Sequence, residues 1–331
     1  MEDTNPSEKI EFENRMDISD LYRDFQSVRE EISKVIVGQA NLIDQLLVCV
    51  LANGHALIEG VPGTAKTITA KLLAKTINAG FSRIQFTPDL MPSDILGTSV
   101  IDITSSEFRF KKGPVFSNIV LIDEINRAPA KTQSALFEVM EERQITMDGV
   151  TYPMMPPFLV LATQNPIEHE GTYRLPEAQL DRFLMKITID YPDRTEEAEI
   201  LMREHLLTEG NKADVIRTFL DTGALLKYQK QVRQITVEQK LIEYIANLVC
   251  NTRENPFLYL GASPRASIAL LIASKAYAAL RGRDYVSPED IKAAAIPVLI
   301  HRVIVAPERE MEGMTAIQII RQAIDSVEIP R

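Results

Sequence analysis

Two short stretches of the chain carry residue types suited to phosphate chemistry. The first, 60-GVPGTAKT-67, sets glycines where a backbone must bend and follows them with a lysine and a hydroxyl. In such a loop successive backbone N–H groups and a helix N-terminus point at phosphate oxygens. On that reading Gly60, Val61, Pro62, Gly63, Thr64 and Ala65 wrap the phosphates, and Lys66 reaches the β- and γ-phosphates. The Thr67 hydroxyl is then a direct Mg²⁺ ligand. The usual pattern has glycine before the lysine, where this chain has Ala65. That position opens a helix and alanine is a good helix former, so the change should cost little as long as φ there is negative.

The second stretch is 119-IVLIDE-124, an apolar run that ends in Asp123 and Glu124. Two carboxylates at a strand end can be a helix cap and solvated surface. Beside a phosphate loop they have a sharper use: Asp123 holds Mg²⁺ through water, and Glu124 polarises the attacking water as general base. A binding switch needs no such base. Together the stretches imply a site for Mg²⁺ and ATP that hydrolyses its ligand.

These side chains need a scaffold to bring them together, and the hydrophobic pattern predicts one. Residues 55–60, 119–124, 158–165 and 185–190 read as short apolar strands buried on both faces, and helical patterns separate most of them. Strands alternating with helices predict a parallel sheet with right-handed crossovers. Ahead of the loop, helical spacing runs from Asp20 to Val35 and from Leu42 to Leu51. Asp148-Gly149, set between alternating residues in 145-ITMDGVTY-152, predicts a hairpin. Beyond 191-YPDR-194 no further buried strand is evident, and helices are expected near 195–207, 236–253, 264–281, 288–302 and 315–326. The expected organisation is a disordered segment at 1–17, an α/β domain over 18–192 and a helical domain over 193–331.

Bulk properties narrow the class. Of 331 residues, 45% are apolar and 25% charged, the balance of a globular chain long enough for two cores. A net charge of −10 argues against a large nucleic-acid surface. No apolar run reaches the ~20 residues of a membrane span, and the polar, acidic start is unlike a secretion signal. Cys49 and Cys250 are expected as buried free thiols of a reducing, cytoplasmic compartment. His55, His169, His205 and His301 show no metal-ligand spacing, and His169 reads as a loop hydrogen-bonding residue.

The motifs VIVGQ, GVPGTAKT, LIDEINRAP, ATQNP, GTYRLPEAQLDRF and GASPRA follow one another in the order that resembles the MoxR family of AAA+ ATPases, from about Val35 to the C-terminus. The resemblance implies an AAA+ phosphate-loop sheet flanked by helices and a small helical lid. It implies an adenine pocket lined by Val37, Gly38 and Gln39, and a water-orienting or γ-phosphate-sensing role for Asn165. Arg182 takes the place of the arginine finger that reaches a neighbour's nucleotide, with Arg174 as runner-up. An ion pair of Arg182 with Asp181 or Glu177 is the plain alternative. Arg265 takes the place of a second sensor projecting from the lid onto the nucleotide, and a surface ion pair is its alternative. The hairpin at Asp148-Gly149 and a second one within 86–115 resemble the insertions of the branch shared with magnesium chelatase and replicative helicases. Phe108, Phe110, Lys111 and Lys112 are expected to serve hairpin packing and solvated charge.

The family's function, carried over as an expectation, is a hexameric ring that remodels or matures protein clients. A partner with a von Willebrand factor A-type domain and insertion of metal centres belong to that expectation. The other readings are a nucleic-acid motor, a magnesium-chelatase-like subunit and a nucleotide-operated scaffold with little turnover.

Overall fold

The computed structural model describes residues 16–61, 63–102, 107–166, 173–206 and 216–329. The expected disordered segment lies outside them except for Met16 and Asp17, as do Pro62 and His169. Two helices, α1 (Ser19–Ser33) and α2 (Ala40–Ala52), precede β1 (Ala56–Gly60) and α3 (Lys66–Thr76). Then come β2 (Phe81–Gln85), α4 (Pro92–Leu96) and the antiparallel pair β3 (Gly97–Asp102) and β4 (Glu107–Lys112). β5 (Ile119–Asp123), a 3₁₀ turn at Ile125–Arg127 and α5 (Ala130–Glu142) follow. The hairpin β6 (Gln144–Met147) and β7 (Val150–Pro153) leads to β8 (Leu159–Gln164), α6 (Glu177–Leu180) and β9 (Met185–Ile189).

β2, β5, β8, β1 and β9 form one sheet in that order, with every pairing parallel. β5 is buried along its whole length and β8 in all but its last residue, because helices cover both faces. That is why each reads as an unbroken apolar run. β2 escapes the sequence pattern because it is an edge strand, FSRIQ, with only Ile84 buried. The Asp148-Gly149 hairpin forms as expected, and both residues have positive φ. Phe110 packs against Phe116 and Tyr152, and Lys112 lies over Phe116, as expected of hairpin packing. Phe108 does not pack: at 75% exposure it stands in solvent opposite Ile101.

After α7 (Arg194–Leu206) come α8 (Thr222–Gln234), α9 (Gln239–Glu254), β10 (Leu258–Leu260), α10 (Pro264–Leu280) and α11 (Pro288–Leu299). β11 (Ile304–Val305), α12 (Pro307–Met311) and α13 (Ala316–Ser326) complete the lid. α8 and the β10–β11 pair fall outside the expected elements, although Leu225, Tyr228 and Val232 recur along α8 at helical spacing. α8 starts where Asp221 caps the Ala224 N–H, and the β10–β11 pair is too short and too exposed to show an apolar signature. The lid shares a continuous core with α1, α2 and α3. Tyr228 Oη donates to Asp24 at 2.6 Å, and Gln229 Nε2 to the Val50 carbonyl at 2.7 Å. Cys49 is buried as expected, but Cys250 is exposed, on the outer face of α9. An apolar helical pattern does not say which of its flanks faces water.

Two buried histidines join elements at the lower edge of the sheet. His55 lies between the Met140 carbonyl and the Val160 N–H, and His301 meets the Phe183 carbonyl. Burial, aided by Arg143, pushes His55 down to about 3, and burial with Arg302 pushes His301 well below its ordinary value. Both bases bind protons more readily unfolded, so the stability they hold is complete above about pH 6.5 and falls as pH drops below it. For His55 the loss approaches about 1.4 kcal/mol per pH unit once the unfolded imidazole is fully protonated. Thermal melts should therefore fall steeply between about pH 6.5 and 5; an unchanged melting temperature across that window would refute the assignment.

Candidate active site

The loop between β1 and α3 sits at the C-terminal edge of the sheet. Gly60 pairs with Ile189, and a Cβ on it would come within 3.0 Å of the Ile189 Cβ and carbonyl oxygen. Gly63 has φ +87°, and a Cβ added there would meet nothing within 4 Å, so its constraint is conformational. Thr64 is buried and its hydroxyl donates to the Val61 carbonyl at 2.9 Å. The expectation for Ala65 fails on its stated condition: φ is +60° and ψ 14°, the left-handed region. The residue ahead of the helix must turn the chain sharply so that Lys66 begins α3. Alanine takes that conformation at a strain of order 1 kcal/mol that glycine would avoid.

Lys66 is half-buried and its Nζ donates to the Gly60 carbonyl at 2.5 Å, closing the loop on itself. Desolvation lowers its pKa, while Asp123, Glu124 and Glu59 pull it back up. A cation held this way, under an open glycine loop, is matched to an anionic ligand. Replacing Lys66 with Ala should abolish ATP binding; calorimetry giving unchanged affinity would remove the lysine from the site.

Asp123 and Glu124 end β5, beside the loop strand's neighbour β8. Asp123 is buried; its Oδ2 pairs with Arg83 Nε at 2.6 Å and its Oδ1 accepts from the Thr163 hydroxyl at 3.3 Å. Thr163 also accepts the Glu124 N–H at 3.0 Å, so one hydroxyl fixes both acidic residues. Glu124 stands at φ 58°, ψ 55°, a left-handed conformation of the strained kind that recurs at functional sites. Its Oε2 receives Gln85 Nε2 at 2.8 Å and Arg127 Nε at 3.1 Å. Arg83, Gln85, Arg127 and Thr163 carry no signal in the sequence; only their places at strand ends in the folded sheet point to them. Asn165 is buried two residues beyond Thr163. Gln39 Nε2 reaches the Asp190 carbonyl at 3.3 Å, and a Cβ on Gly38 would strike the Glu196 carboxylate at 2.4 Å. Val37, Gly38 and Gln39 are thereby held beside the end of β9, at the loop's edge of the sheet.

Thr67 and Asp123 offer hard oxygen donors of the type Mg²⁺ takes, leaving further positions for phosphate and water. Among the described residues no three His, Cys, Asp or Glu side chains converge into a self-sufficient metal site.

Arg182 and Arg265 are not in this cluster. Arg143 at the end of α5 donates to the Asn53 side chain and carbonyl at 2.9 and 2.7 Å, and the Leu184 N–H to the His55 carbonyl at 2.8 Å. These bonds place the end of α5 and the start of β9 at the N-terminal edge of β1. Arg182 sits there, donating to the Phe137 carbonyl and 3.9 Å from Glu141, not paired with Asp181 or Glu177. Arg265, expected either to project from the lid onto the nucleotide or to form a surface ion pair, makes an ion pair with the same Glu141 in this subunit, at 3.3 Å. Glu141 precedes Arg143, which is bonded to Asn53 ahead of β1, whereas Lys66 follows the loop at the other end of that strand. Arg174 is 88% exposed, 4.0 Å from Glu177.

A parallel sheet ordered β2-β5-β8-β1-β9, a glycine loop feeding α3, an acidic pair on β5 and a following helical lid define an AAA-type ATPase. The profile of the ATPase family associated with various cellular activities (AAA) matches residues 55–185, and that of the AAA lid domain matches 250–323. The chain is 45% identical to YeaC of Bacillus subtilis, over 91% of its length and 93% of the relative's. It is 44% identical to Chaperone MoxR1 of Mycobacterium tuberculosis, over 91% of its length and 81% of the relative's. A crystal structure from Cytophaga hutchinsonii superposes with a TM-score of 0.87 at 45% identity, covering 95% of this chain and 97% of that one. The chain belongs to the MoxR family of AAA+ ATPases, and its activity is ATP hydrolysis.

Proposed function

We propose that the chain works as a ring, a hexamer in the pattern of its class, in which each ATP is bound by one subunit's loop and completed by the next subunit's Arg182 and Arg265. The observation that carries this reading is their separation: the loop and acidic pair occupy one edge of the sheet, both arginines the other. Two guanidiniums share the single carboxylate of Glu141, and Arg182 Nε has no hydrogen-bond partner among the described residues. Such an edge carries unspent positive charge for an external anion.

Within the site Lys66 and the loop N–H groups bind the phosphates, and Thr67 and Asp123 are placed to hold Mg²⁺. Bound there, the ion would neutralise phosphate charge. Glu124 takes a proton from the attacking water, and Asn165 orients that water or contacts the γ-phosphate. Arg83 and Arg127 must release Asp123 and Glu124 for these roles. Val37 and Gly38 border the adenine. The Glu124→Gln variant in Mg²⁺ and ATP should run as a ring in light scattering; a monomer at micromolar concentration would overturn this reading.

The work done with the ATP is remodelling or maturation of a protein client in the cytoplasm, with metal-centre insertion and a von Willebrand factor A-type partner as the specific form. A relative's name, Chaperone MoxR1, and the exposed Ile101–Phe108 pair on the β3–β4 hairpin support a protein client. Among the described residues no helix is long and apolar enough to cross a membrane. Pull-down from native extract with the Glu124→Gln variant in ATP should retain such a client; recovery of nucleic acid instead would favour a nucleic-acid motor.

A further inference from the structure

Arg182 and Arg265 come from different domains, so something must hold them in one geometry. Arg182 lies between Asp181 and Phe183, in the turn that follows α6. The Arg302 side chain, only 3% exposed in the turn just past α11, grips this turn from the lid. Its Nε donates to Asp181 Oδ1 at 2.6 Å, and its Nη2 to the Asp181 and Phe183 carbonyls at 3.1 and 2.6 Å. Its Nη1 reaches the Leu184 carbonyl at 3.1 Å. One guanidinium thus bonds the backbone on both sides of Arg182. The second oxygen of Asp181 accepts from Ser263 Oγ at 2.9 Å, and Ser263 caps α10 two residues before Arg265. A single carboxylate therefore joins the turn of Arg182, the cap of Arg265 and the turn just past α11.

We infer that Asp181 and Arg302 are positioning residues that lock Arg182 and Arg265 into one rigid unit presented to the neighbouring subunit. The inference rests on the ring reading above. A lid that shifts carries both arginines with it, so a movement in one subunit changes hydrolysis in the next. The carboxylate and the planar guanidinium both suit this task. The carboxylate accepts from both donors and carries the charge that pairs with Arg302. The planar guanidinium donates in several directions from one fork. An amide removes that charge and a lysine removes the fork.

The test uses mixed rings. Asp181→Asn keeps its own phosphate loop but misplaces the arginine edge, whereas Glu124→Gln keeps the edge and loses turnover at its own loop. Asp181→Asn alone should keep ATP affinity within about twofold and lose about 10- to 100-fold in kcat, the scale of a misplacement of about 1 Å. Mixed in equal amounts with Glu124→Gln, it should regain activity at about one interface in four, the fraction expected of random head-to-tail assembly. Ser263→Ala, which leaves Asp181 and Arg302 paired, should behave in the same direction and stands in if Asp181→Asn fails to fold. The control is Arg182→Ala mixed with Glu124→Gln. If the control regains activity and both the Asp181→Asn and Ser263→Ala mixtures do not, the positioning role is overturned while the ring stands. If the control also stays inactive, the ring reading fails and the inference with it. Wild-type kcat in Asp181→Asn alone would overturn the inference directly.

Discussion

A Glu124→Gln variant should bind ATP as the parent does and hydrolyse it about 10²- to 10⁴-fold more slowly, the range a positioned general base supplies. The side chain keeps its shape and can still bond Gln85 and accept from Arg127, so binding and fold are untouched. What is lost is the ability to take a proton. Because Glu124 already sits in a strained left-handed conformation, its placement is set by backbone and not by its charge. Single-turnover hydrolysis against ATP affinity by calorimetry separates the two effects. Turnover within a few-fold of the parent would move the base elsewhere.

The second large effect belongs to Arg182. Arg182→Ala should leave ATP affinity unchanged and lower turnover by about 10³-fold or more, the scale of an arginine finger. The asymmetry follows from position: Arg182 bonds the Phe137 carbonyl near the start of β1, whereas Lys66 opens α3 beyond the end of that strand. The fold should tolerate the loss, because what goes with it is one hydrogen bond to the Phe137 carbonyl and a Glu141 contact 3.9 Å long. Arg174→Ala, on a well-exposed side chain paired at 4.0 Å, should change turnover little. The reverse result, a large loss for Arg174 and none for Arg182, would reassign the finger.

The phosphate loop, the acidic pair and the alternation of buried strands with helices were legible in the residues themselves. Each is a local pattern: backbone bending at Gly60 and Gly63, a cation and hydroxyl opening a helix, and carboxylates where an apolar strand leaves the sheet. The hairpin at Asp148-Gly149 is likewise local, since two adjacent positive φ values need such residues. Strand β2 and the β10–β11 pair were not legible, because their mostly exposed or half-exposed residues display no apolar run, whereas the other edge strand, β9, buries three of its five residues and does.

Tertiary structure alone decided the partners and the sides. Arg83, Gln85 and Arg127 meet the acidic pair only because β2 lies beside β5 and the 3₁₀ turn folds back. Local reasoning also misjudged Ala65, whose left-handed turn is imposed by the strand before it and the helix after it. Cys250 faces water because of which flank of α9 the lid covers. Most of all, only the resemblance, and no local pattern, gave Arg182 and Arg265 a direction. The parallel register of β1 with β9, and the return of α5 to the base of β1, carry both to the edge opposite the loop. A motif fixes which atoms are available for chemistry, but the path of the sheet fixes which molecule they can reach.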